Sequence, residues 1–271
     1  MLAIKNNLMA VNAARHLGIS YNALATSVER LSSGLRINSA RDDAAGLAVR
    51  ELMLADIAVI NQGSRNALDG ISMLQTMEGA MATIDDALVR MQQLAEQAAT
   101  GSYSSAQRSI MENEFVEMRE EIDRIAGATT FNGIKMLDNS ATVNIHFGNV
   151  TDFISVAGSN VTSASSGLNI TGLTIVDVTS AKNALTTLDS AISTKDTARA
   201  KFGYKMNRLE GTISVLGIQS ENLQAAESRV TAVDVAIEMA EMTKNQVLAQ
   251  AGISMLAQAN TMPQMALTLL R

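Results

Sequence analysis

Residues 17–35, LGISYNALATSVERLSSGL, place Leu17, Tyr21, Leu24, Val28, Leu31 and Leu35 alternately four and three apart. That is the roughly 3.5-residue period of helices that pack along their length. The period returns at the other end of the chain in Leu248, Ala251, Met255, Gln258, Met262, Met265 and Leu269, with one polar interruption. Each terminal stretch carries an apolar stripe with no aromatic-rich core beside it, so the expected cover is another copy of the chain.

Working inward, a Ser/Gly/Asn cluster at Ser32–Ser39 ends or bends the first helix. A second helical stretch runs from about Asp42 to Gly101. It carries a heptad of Leu74, Met77, Met81, Ile84, Leu88, Met91, Ala95 and Ala98. Ser104 or Ser105 is placed to cap a third helix, striped by Met111, Phe115, Met118, Ile122 and Ile125. From about residue 129 to 178 the period drops to two: Val143, Ile145 and Phe147 alternate with polar residues, and Phe153–Val156 and Asn169–Thr171 continue the strand chemistry. Helical periodicity resumes with Leu185, Leu188 and Ile192 and runs to Val230, and a last helix spans about Val233 to Arg271. The expected fold is mainly α: a long antiparallel helical bundle or coiled coil, a small β-hairpin region, and paired terminal helices.

Composition supports packing rather than chemistry. Aromatic residues are 3% of 271 and there is no Trp, so Ala, Leu, Ile and 16 Met do the packing. One proline leaves the helices unbroken. Zero cysteines exclude disulfides and thiolate chemistry, and suit a protein that leaves the cell without oxidative folding. A net charge of −6, with no basic cluster interleaved with aromatics, argues against nucleic acid. No run of apolar residues is long enough to span a bilayer. His16 and His146 fall in different segments, and a metal site needs several convergent ligands. The adjacent pairs Asp42-Asp43, Asp85-Asp86 and Glu120-Glu121 point about 100° apart on a helix and share no proton-transfer site. No phosphate loop, dinucleotide fingerprint or nucleophile elbow occurs. The expectation is no enzyme, no cofactor and no metal.

Four stretches are more specific. Leu31–Val49, LSSGLRINSARDDAAGLAV, closely resembles the N-terminal signature of bacterial flagellins. Asn61–Gly79, NQGSRNALDGISMLQTMEG, and Thr130–Gly133, TFNG, continue it. Gln250–Arg271, QAGISMLAQANTMPQMALTLLR, resembles the flagellin C-terminus to its last residue. The resemblance implies a minimal form without outer domains. It would be a secreted, extracellular subunit that self-assembles into the flagellar filament for swimming, after type III export.

The resemblance also implies an organisation. Residues 1–44 and 233–271 would be the two halves of an inner-tube coiled-coil domain, and 45–232 a helical bundle holding the hairpin region. Leu17, Tyr21, Leu24, Val28, Leu31, Leu248, Met255, Met262, Met265 and Leu269 would form the polymerisation interface. Partners would be further copies, an export chaperone on the C-terminal helix, and filament cap and junction proteins. A vertebrate Toll-like receptor would read Arg90, Leu94 and Glu114, the residues of LVRMQQLAEQ (88–97) and the next helix that match the family pattern, whereas Val89 and Gln92 depart from it. On a helix Arg90 and Leu94 share a face, expected to be exposed beside the buried Leu88/Met91/Ala95 stripe. Two rivals are a hook–filament junction protein, disfavoured by the C-terminal stretch, and a soluble signalling coiled coil, disfavoured by the β region.

Overall fold

A computed structural model of the chain describes residues 7–139, 141–148 and 151–269, apart from the side chains of 263, 264 and 266–269. Its helices are α1 (Leu8–Ser33), α2 (Ala44–Ala99), α3 (Ser105–Ala128), α4 (Val178–Thr231) and α5 (Val235–Leu269). Four short strands lie between α3 and α4: β1 (Thr130–Phe131), β2 (Ile134–Lys135), β3 (Thr142–His146) and β4 (Phe153–Ala157). The order and number of helices match the periodicity.

The helix ends are written in side chains. The Asn7 carboxamide oxygen accepts from the Ala10 N–H at 3.1 Å to start α1. Ser104 and Gln107 form a reciprocal capping box on α3. The Asp177 carboxylate accepts from the N–H groups of Thr179 and Ser180 at 2.9 and 3.0 Å to open α4, and Asp234 does the same for α5. α1 stops at Gly34, whose φ of 72° is left-handed and whose N–H donates back to Arg30 O at 2.9 Å. Gly34 therefore caps the helix; it is not a weak point inside one.

The chain divides into two compact units, Met1–Ile57 with Asn222–Arg271, and Ala58–Glu221. The divisions fall inside α2 and α4, whereas the sequence expectation set them at the helix breaks, near residues 44 and 233.

In the first unit α1 and α5 pack antiparallel. Asn7 Nδ2 donates to Ala259 O at 2.7 Å, Leu17 lies against Gly252, and Arg30 pairs with Glu238 at 3.6 Å. The covered positions of α1 include Ala10, Ala13, Leu17, Ser20, Leu24, Ser27 and Leu31, a strict three–four repeat. Those of α5 include Glu238, Met242, Asn245, Ala249, Gly252, Leu256, Ala259 and Met262. Many of these are small, which lets the two backbones approach closely. The two breaks are stitched together: Arg36 N–H donates to Thr231 O at 2.6 Å, Val233 N–H to Gly34 O at 3.1 Å, and the Arg36 guanidinium to Val230 O at 2.8 Å.

The second unit holds a continuous core. Met77, Met81, Ile84, Leu88 and Met91 of α2 are fully buried with Phe115 and Ile122 of α3, and with Leu188, Phe202 and Leu209 of α4. β3 pairs antiparallel with β4, from Thr142 opposite Ala157 to His146 opposite Phe153, and puts Ile145, Ile154 and Val156 inward. The stretch Asn169–Thr171, expected to be strand, is a turn with Asn169 at φ 56°. Ser163 O accepts from the Ile170 and Thr171 N–H groups at 2.8 and 3.0 Å, and the Asp123 carboxylate anchors Ser163 at 2.7 Å. The Ser163 backbone carbonyl thus supplies the partner that a β-ladder would have offered.

Candidate self-assembly surface

The small-residue seam of α1 and α5 leaves the large apolar side chains of both helices facing out. Tyr21 and Val28 on α1 and Leu248, Met255 and Met265 on α5 are exposed. So are Leu8, Met9, Val11, Ile19, Ile237, Val247 and Ile253, which the heptad reading passed over. Among the described residues of this unit the buried apolar side chains are few: Ile37, Ala249 and Ala259. A surface so apolar over so thin a core marks a contact site.

The ten residues expected to form the interface separate into groups. Leu17, Leu24 and Leu31 turn partly into the α1–α5 seam, so their first cover is the other end of the same chain, not another copy. Met262 is half-buried. Tyr21, Val28, Leu248, Met255 and Met265 stay uncovered, while the Leu269 side chain lies outside the described residues. The register explains the split. On α5 the seam runs through Ala249, Gly252, Leu256 and Ala259, one residue along from the larger Leu248 and Met255. Small residues at heptad positions were the missed signal.

On the second unit, Arg90 and Glu114 meet: Nε and Nη2 of the guanidinium both lie 2.7 Å from Glu114 Oε1, and both side chains are exposed. The carboxylate holds the Arg90 guanidinium above its ordinary range, through the hydrogen bond first and its charge second. Leu94 does not join them. It is 2% exposed and packs in the core with Leu88, Met91 and Ala95, because the inward stripe of α2 is wide enough to take it. The expected exposed Arg90–Leu94 pair is therefore corrected to Arg90–Glu114, with Val89 as the exposed apolar neighbour at 41%. Gln92 is engaged by Asp189 of α4 at 2.7 Å.

His146 tilts against Phe153 with ring centroids 5.2 Å apart. The acidic pairs serve structure: Asp42 binds the Asn38 and Ser39 N–H groups, Asp43 caps α2 at Gly46, and Asp85 meets Lys195. Among the described residues no three His, Asp or Glu gather as a metal site would require, and no helix is long and apolar enough to cross a membrane.

Comparison with known proteins points one way. Residues 4–142 match the model of the bacterial flagellin N-terminal helical region, and residues 185–270 that of the C-terminal helical region. Flagellin of Halalkalibacterium halodurans is 43% identical over the full length of both chains. The flagellar filament 33 kDa core protein of Treponema phagedenis is 41% identical, again over both full lengths. Among solved structures, Bacillus cereus flagellin superimposes with a TM-score of 0.51 at 32% identity, covering 60% of this chain and 94% of that one.

Proposed function

The chain belongs to the bacterial flagellin family, a structural subunit of the flagellar filament that serves motility, and from that premise we propose which of its surfaces build the polymer. Residues 1–44 and 233–271 form the inner-tube domain and 45–232 the helical bundle domain. Tyr21, Val28, Leu248, Met255, Met262, Met265 and Leu269 carry the contacts between copies. Leu17, Leu24 and Leu31 align α1 on α5 and so set the surface that the copies meet. The observation that carries this reading is the row of large apolar side chains left exposed on both terminal helices.

The same surface has a second use before assembly. An amphipathic helix with an uncovered apolar face suits capture in a chaperone groove, and α5 presents Met239, Val247 and Leu248 beside Thr243 and Lys244. The chain is exported through the flagellar type III apparatus and added beneath a cap, beyond a junction zone.

Seeded elongation tests the assembly reading. Leu248→Lys and Met255→Lys, which place a charge on an outward face, abolish filament growth and leave the helical content of the monomer unchanged. Normal growth of both variants removes α5 from the interface.

A receptor reading rests on the exposed Arg90–Glu114 pair, a rigid charged feature on a helix face. A Toll-like receptor that reads it binds the monomer and loses roughly tenfold or more in affinity with Arg90→Ala. A wild-type monomer without measurable affinity ends this reading.

A further inference from the structure

A groove between α1 and α5 of about 500 Å³ is lined by Met9, His16, Gly252, Met255, Ala259 and Met262. Met9 is 66% and Met255 64% exposed, so water reaches these thioethers in the free subunit. The chain has no cysteine to react with an oxidant first. We propose that Met9, Met255 and Met262 are an oxidation site that controls entry into the polymer, with hydrogen peroxide as the oxidant.

The step balances without a cofactor. The methionine sulfur attacks one peroxide oxygen, an S–O bond forms and the O–O bond breaks. Sulfur loses two electrons, the peroxide gains them, and the second oxygen leaves as water with both peroxide hydrogens. A flexible apolar side chain becomes a polar sulfoxide. In the free subunit the sulfoxide stays hydrated. Covering it with another subunit strips that water, which disfavours assembly. Once a subunit is in the filament its thioethers are shielded, so the free subunit is sensitive and the polymer resistant. Reduction of the sulfoxide restores competence. The inference rests on the reading that this face is a contact between copies.

Partition of a partly oxidised pool tests it. Monomer is treated with limiting peroxide, quenched, mixed with filament seeds and sedimented, and each methionine is followed by peptide mass spectrometry. Sulfoxide at Met9, Met255 and Met262 is at least tenfold scarcer in the pellet than in the supernatant. Sulfoxide at Met111 and Met118, which pack on the core of the other unit, divides evenly. Treatment of the supernatant with methionine sulfoxide reductase and dithiothreitol, whose two thiols supply the electrons and close to a disulfide as the sulfoxide oxygen leaves as water, returns it to the pellet. Equal sulfoxide at the groove methionines in both fractions overturns the proposal. Leu248→Lys and Met255→Lys separate the two levels: if they block growth while sulfoxide divides evenly, only the oxidation site falls, and if both elongate normally the contact reading falls with it.

Discussion

Leu17 of α1 lies over Gly252 of α5 so closely that a methyl group on the glycine would come 3.2 Å from the leucine Cδ1. The antiparallel pair of terminal helices is set by that fit. A longer side chain there pushes the helices apart, whereas alanine gains about 1 kcal/mol of helix propensity against a contact that a rotating leucine can relieve. Gly252→Ala is close to neutral. Gly252→Leu destabilises the α1–α5 pair by about 1–3 kcal/mol. Hydrogen exchange on the monomer detects it as faster exchange in α1 and α5, with residues 74–98 unaffected.

Gly34 supplies the left-handed turn that ends α1, and nothing lies within 4 Å of where a Cβ would stand. Gly34→Ala therefore costs only the backbone strain, about 1–2 kcal/mol. The Val233 N–H that Gly34 O accepts is loosened with it. Filaments of the variant change waveform or straighten in dark-field microscopy. An unchanged waveform dissociates this junction from filament shape.

Lys195 occupies a heptad core position of α4 between Ala191 and Ala198, is 1% exposed, and pairs with Asp85 of α2 and with Asp196. Lys195→Ala leaves a cavity beside an unpaired carboxylate and destabilises the second unit by about 2–4 kcal/mol. Lys195→Met leaves the same carboxylate unpaired but keeps the stem, so it costs less than Lys195→Ala by the cavity, about 1–2 kcal/mol. Urea denaturation followed by circular dichroism ranks the two. Equal losses show that the charge, not the packing of the stem, holds α4 against α2.

Asp42, Glu121 and Asp177 are all held below the ordinary carboxylate range. The causes, in order of size, begin with the Ser39 hydroxyl and N–H for Asp42, the Arg124 guanidinium for Glu121, and the Ser180 N–H and hydroxyl for Asp177. A depressed carboxyl stabilises the fold above its unfolded pKa, near 4, and that contribution disappears as pH falls through the lower folded value. Melting temperature therefore declines below about pH 4. Asp177→Asn keeps an N-cap acceptor but removes one titrating group, so the acid decline becomes shallower. Differential scanning calorimetry across that range checks the slope.

The linear sequence determined the helices, because period, capping residues and the scarcity of proline are local properties. Ser104 and the Ser32–Ser39 cluster around Gly34 mark ends that need no distant contact to be read. It also determined that both termini are adhesive, since a heptad stripe without a core to face must be covered by something. Only the tertiary structure decided what covers what. Leu17 and Met255 look alike as stripe residues, yet one seats on Gly252 and the other faces water, because the α1–α5 register selects small residues for the seam and turns large ones out. Leu94 reads as a neighbour of Arg90 on one helix face, but the packing of α3 and α4 on α2 widened the buried stripe past it and left Glu114 as the partner of Arg90. Asn169–Thr171 has strand-forming residues and left the strand pattern, because the Ser163 and Ala164 carbonyls satisfied its N–H groups and Asp123, 40 residues away, held Ser163 in place. A helix announces itself through bonds a few residues apart, whereas the choice of face depends on which other surface arrives.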